Sequence, residues 1–73
     1  MITQYEALAT IKQFADDHAT TSQWLGTTTG SWLALHGPME SAYWGAKPSD
    51  DRQAALNAAL DKGRSIINAR IPA

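Results

Sequence analysis

Between Pro48 and Pro72 the apolar residues recur at helical spacing: Leu56, Leu60, Ile67 and Ile71, with Ala55, Ala59 and Ile66 beside them. That spacing predicts an amphipathic helix over residues 50–70. Ser49 stands where an N-cap is needed, and Asp50 and Asp51 place negative charge in the first turn, where the helix dipole favours it. Lys62, Arg64 and Arg70 lie towards the opposite end, also the favourable side. Pro48 disfavours helix in Lys47, and Pro72 ends the segment. Gly63 is its weak point, at about 1 kcal/mol against alanine. Because Gly63 falls on the apolar face, another backbone is expected to approach closely there.

A second helix is predicted over residues 3–18. Thr3 and Glu6 form a capping-box pair, hydroxyl forward and carboxylate back. At about 100° per residue, Tyr5, Ala7, Leu8, Ile11, Phe14 and Ala15 share one half of the wheel. The middle is less regular. Gly26, Gly30 and the β-branched run Thr27-Thr28-Thr29 oppose helix, yet no other segment could pair with them as a strand. We therefore expect a broken helical piece over about 21–36, interrupted near Gly26–Gly30. A short helix over 38–44 restarts at Pro38 and stops at Gly45.

The expected fold class is all-α: a small bundle of three to four helices with a long C-terminal helix, completed by self-association. The first and last helices are expected to pack antiparallel or steeply crossed, with Trp24, Trp32 and Trp44 filling the space between them. The 73 residues are read as one domain, 1–73. A chain this short buries only about 60% of the surface its unfolded form exposes. It contains no cysteine, so disulfides cannot reinforce it, and a partner subunit is the remaining common support. With 44% hydrophobic residues it is not a disordered tail. Apolar runs are too short for a membrane span, and Met1-Ile2-Thr3-Gln4 opens without signal-peptide character, so a cytoplasmic location and no membrane partner are expected.

Chemistry-bearing motifs are scarce. The chain has no cysteine nucleophile, nucleophile elbow or glycine-rich phosphate loop, so it is expected not to be an enzyme and to need no cofactor. Asp16-Asp17-His18 cannot converge on one metal ion from consecutive helical positions, and no metal is expected. His18 reads as a cap near a helix C-terminus. His36 would need a nucleophile or water beside it to act as a base, and none is identifiable. Lys62 and Arg64 scatter around the last helix relative to Arg52, and the N-terminal part is acidic, so nucleic acid is not an expected partner. Residues 1–51 hold two cations against six anions, net −4, and residues 52–73 hold four cations against one anion, net +3.

Two features remain as candidate partner-binding groups. Trp24, Trp32, Tyr43 and Trp44 cluster in the least periodic part of the chain. Such rings either build the core of a small protein or project as interface anchors. Arg52 and Arg70 are eighteen residues apart, five helical turns, and share a direction within the apolar stripe. They either snorkel from its ends or pair with Asp16, Asp17 or Glu6 of another subunit. Arg64 joins them as a cation available to a partner.

The run Asp51-Arg52-Gln53-Ala54-Ala55-Leu56-Asn57-Ala58-Ala59-Leu60 resembles the alanine-rich helix of bacteriophage head-to-tail connector proteins over these ten residues. The resemblance implies a phage provenance. The small, cysteine-free, nearly neutral chain, with its aromatic cluster and oppositely charged segments, is expected to be a non-enzymatic interaction protein, a phage-encoded inhibitor that blocks a surface of a larger host protein. A virion or head-tail assembly component is the alternative. The second alternative is an oligomer that captures an anionic small ligand such as a nucleotide through its arginines.

Overall fold

The computed structural model describes residues 2–21, 28–47 and 51–70, and side chains over 2–19, 32–47 and 51–69. They form α1 (Gln4–Thr21), α2 (Thr28–Gly45) and α3 (Arg52–Arg70), each packed against the other two. No strand occurs among the described residues. The all-α expectation holds, with corrections. Among the described residues there are three helices, not three to four, and the last, at 19 residues, barely exceeds the 18 of each of the others.

The missing fourth helix traces to Pro38. Gly37-Pro38 was expected to separate two pieces, yet α2 runs through it. An internal proline costs about 3 kcal/mol, because it removes one backbone bond and crowds the carbonyl four residues back. Leu35, Met39 and Tyr43, spaced four apart across this point, are all fully buried. Each such side chain contributes about 1.5–3 kcal/mol, enough to carry the helix through. Of the stretch where a break was expected, near Gly26–Gly30, residues 28–30 are helical, since α2 starts at Thr28. Gly26 and Thr27 lie outside the described residues.

The helix boundaries follow local chemistry. Thr3 and Glu6 make the capping box in both directions, N–H to Glu6 Oε1 and N–H to Thr3 Oγ1, each at 3.1 Å. The Thr3 backbone N–H on the carboxylate, and then the Thr3 side chain, hold the Glu6 carboxyl below its ordinary range. The N-cap of α3 is Asp51 rather than Ser49: its Oδ1 accepts the Ala54 N–H at 3.0 Å and its carbonyl accepts the Ala55 N–H at 3.1 Å. Aspartate caps as well as serine, so the helix starts at the later residue. Ser49 lies outside the described residues. At the end of α2, the Ala46 and Lys47 N–H groups bond the Tyr43 and Trp44 carbonyls, and Lys47 adopts a left-handed φ of 56°. α1 extends to Thr21, past the expected end at His18. His18 Nδ1 instead lies 2.8 Å from the Phe14 carbonyl, which requires the proton on Nδ1, and its ring stacks on Phe14 at 4.0 Å.

In the core, α1 contributes Ala7, Ile11, Ala15 and Ala19, and α3 contributes Ala55, Leu56, Ala59 and Ile67. α2 supplies Leu35, Met39 and Tyr43 between them. Of the tryptophans expected to fill that space, Trp32 packs against the core from its edge and Trp44 does not enter it. Trp32 is half-buried, Trp44 is exposed, and Trp24 lies outside the described residues. Gly63 marks the junction of all three helices, but side chains rather than a backbone approach it. A Cβ there would stand 2.7 Å from Met39 Sδ and 2.7 Å from Phe14 Cε1.

Candidate functional site

Four residues at intervals of four form a ladder up one side of α2: Trp32, His36, Glu40 and Trp44. Trp32 Nε1 donates to Asp16 Oδ1 at 2.7 Å, which ties α2 to α1. The other Asp16 oxygen, Oδ2, takes Lys12 Nζ at 2.9 Å. The Lys12 bond and then the Trp32 bond hold the Asp16 carboxyl below its usual range. The His36 ring lies on the Trp32 indole, with centroids 4.2 Å apart and planes within 11°. His36 Nε2 stands 3.3 Å from Glu40 Oε2, and Trp44 Nε1 donates to Glu40 Oε1 at 3.3 Å. Steps of four residues advance the helix by about 40°, so the ladder turns from the core outwards. That drift explains why its first tryptophan is half-buried and its last is exposed.

Beside the ladder, Tyr5, Leu8, Ala9, Lys12, His36 and Glu40 line a solvent-open groove of about 340 Å³ between α1 and α2. Across the bundle, Phe14 and Leu60 floor a second open groove of about 440 Å³ between α1 and α3. Neither encloses a ligand. Among the described residues, no three His, Cys, Asp or Glu side chains are placed to share a metal ion.

The outer face of α2 is the more unusual surface. Leu33 is 59% exposed and Trp44 45% exposed, with Gly37 and Ser41 exposed between them. Glu40 is the only charged residue in the whole helix when His36 is neutral. Its carboxylate accepts a hydrogen bond from Trp44 Nε1 and stands against His36 Nε2, each at 3.3 Å. Tyr5 of α1, 83% exposed, flanks the groove that Glu40 lines.

Of the predicted partner-binding residues whose side chains are described, only Trp44 sits on this face. Trp32 is half-buried in the α1–α2 seam. Tyr43 is fully buried, so it serves the core and presents no anchor on this surface; its hydroxyl finds no hydrogen-bond partner among the described residues. The reason is angular: one residue along a helix turns about 100°, which sends Tyr43 inward and Trp44 outward. Arg52 is half-buried, its Nε buried without a partner, and it makes no ion pair among the described residues. Arg64 is exposed and pairs within its own helix with Asp61 at 3.2 Å. Arg70 is the last residue of α3, with its side chain outside the described residues, as is Trp24.

Sequence reasoning missed Leu33, Tyr5, Asp16 and Glu40 as members of the surface and the ladder, and found no role for His36. The repeat of Trp32, His36, Glu40 and Trp44 at intervals of four was a legible signal once α2 was taken as continuous. Glu6, Asp16 and Asp17, the carboxylates expected to meet arginines of another subunit, are occupied by the Thr3 cap, by Lys12 with Trp32, and by Gln13 respectively. Compared with models of protein families, with curated proteins and with solved structures, the chain matches none. No helix among the described residues is long and apolar enough to cross a membrane.

Proposed function

We propose that this chain is a non-enzymatic interaction protein that docks through the outer face of α2. One observation carries the reading: α2 has a single Asp, Glu, Lys or Arg among its 18 residues, yet Leu33 and Trp44 on one side of it face solvent. A helix of that character is normally covered on all sides. Trp44 supplies the kind of large side chain that dominates protein interfaces, and Leu33 extends the apolar strip. The reading includes self-association, and action as a phage-encoded inhibitor that occupies a surface of a larger host protein.

The test is native mass spectrometry of the chain purified gently from lysate, alongside Leu33→Ser and Trp44→Ser. Both positions are exposed, so the far-UV circular dichroism should not change. The expected result is an associated species that each substitution weakens by about tenfold or more, the scale of an interface hot spot. Association that is indifferent to both substitutions overturns the reading.

A further inference from the structure

We propose that His36 is a proton-operated switch on Glu40: when His36 takes up a proton, the Glu40 carboxylate closes on it and lets go of the Trp44 indole. The switch is internal to the chain and is independent of any docking by α2.

Glu40 lies between two ring nitrogens. His36 stands one turn before it on α2 and Trp44 one turn after, so the two pull in opposite directions along the helix axis. His36 Nε2 is 3.3 Å from Oε2, and Trp44 Nε1 donates to Oε1, also at 3.3 Å. Both are just longer than a full N–H···O bond of about 2.7–3.2 Å. With neither contact at full strength, the carboxylate is poised between them. A proton on His36 makes both ring nitrogens donors, so Nε2 then presents an N–H to Oε2 whichever tautomer precedes it. Such a charge-assisted bond closes to about 2.7–2.9 Å. Starting from 3.3 Å, the carboxylate is drawn about 0.4–0.6 Å towards His36, and the Trp44 bond, at the same length, opens by a similar amount. That carries it out of hydrogen-bond range.

The imidazole is the fixed partner and the carboxylate the moving one. The His36 ring lies on the Trp32 indole, with centroids 4.2 Å apart and planes within 11°, and Trp32 is held to Asp16 at 2.7 Å. An indole face attracts a cation, so protonation strengthens that stack. Glu40 lines an open groove, and Trp44 is exposed in the last turn of α2. Other charges around His36 favour the proton. Glu40 faces it from α2. From α1, Asp16 is close enough to feel its charge, and Tyr5 and Lys12 line the same groove; among the described residues, α3 adds none to that lining. Lys12 opposes a second cation, but its ammonium is matched by Asp16 at 2.9 Å. Two carboxylates thus stand against one ammonium. Histidine is the side chain that changes charge between about pH 5 and 8.

The experiment follows the indole N–H signals of the full chain by NMR from about pH 8 down to about pH 4. Trp44→Phe identifies the Trp44 signal, and Glu40→Ala gives its position when no bond to Glu40 can form. Trp44 is two turns from His36, about 12 Å along the axis, so its signal reports on Glu40 and not directly on the imidazole charge. The expected result is a Trp44 indole proton that moves upfield most of the way to its Glu40→Ala position, with one midpoint between about pH 5 and 8. His36→Gln should hold it near its starting position over that range, and His18→Gln should leave the transition intact. A Trp44 signal that stays still in the parent chain overturns the switch. So does one that moves equally in His36→Gln, since Glu40 itself is then titrating, or one that stops moving in His18→Gln, which assigns it to the other histidine. Should His36→Gln not fold, the midpoint decides: a value below about pH 5, in the carboxylate range, also overturns the switch.

Discussion

The indole of Trp32 donates to the carboxylate of Asp16 at 2.7 Å, and this bond joins two helices through residues sixteen apart in the chain. The same carboxylate takes Lys12, and those two bonds hold Asp16 in its charged form. Their stabilisation is in full force above the ordinary aspartate value of 3.8 and is lost as pH falls through the lower folded value. Glu6 behaves alike from its ordinary 4.5 downward, through its Thr3 cap. Thermal melts between pH 7 and pH 2 should therefore show an acid limb, and it should be shallower in Asp16→Asn and Trp32→Phe. Parallel acid limbs in these variants and the parent chain would remove the bond from the stability account.

Gly63 should resist enlargement. Alanine there gains about 1 kcal/mol of helix propensity. Its Cβ would also collide with Phe14 Cε1 and Met39 Sδ, both at 2.7 Å, where overpacking costs about 1–3 kcal/mol. Met39 is fully enclosed and the Phe14 ring is stacked on His18, so neither has much room to yield. We expect Gly63→Ala to destabilise by about 1 kcal/mol in urea titration, and Phe14→Leu to restore part of the loss by shortening the obstructing side chain. Simple additivity of the two substitutions would contradict the contact.

Two buried polar atoms without partners predict gains. The Tyr43 hydroxyl and Arg52 Nε are both buried and unbonded among the described residues. An unsatisfied buried polar group costs about 1–3 kcal/mol. Tyr43→Phe should therefore be neutral or stabilising by about 1 kcal/mol, unlike most changes to a core residue. Arg52→Met should behave likewise, since it also takes a cation away from the first turn of α3. The denaturation midpoint of each variant is the measurement, and a loss at Tyr43→Phe would reveal a partner for the hydroxyl.

Lys47 holds a φ of 56°, a conformation natural for glycine and strained for lysine by about 1–2 kcal/mol. Replacement by glycine relieves that strain, while a looser unfolded chain takes back about 0.4–1 kcal/mol. A net gain of about 0.5–1 kcal/mol is expected for Lys47→Gly, read from the urea midpoint. Lys47→Ala keeps the Cβ and should show no such gain.

Much of this protein was legible in residue order. The Thr3–Glu6 box, the alanine-rich α3 with its acidic start, and the all-α class follow from signals that act within a turn or two of helix, where spacing alone decides which groups meet. The continuity of α2 was not legible. Pro38 is locally a helix breaker, and it is overridden by the burial of Leu35, Met39 and Tyr43, which exists only once α1 and α3 stand beside them. The fate of the aromatics was hidden for a similar reason. Tyr43 and Trp44 are neighbours of similar character, and their difference in exposure depends on where the other helices lie around α2. The bond from Trp32 to Asp16 also depends on how α1 and α2 align. Sequence by itself determined α1 and α3 and the cap at Thr3, because capping and periodicity are short-range. Tertiary structure decided which faces were buried, because that depends on the relative placement of helices distant in the chain.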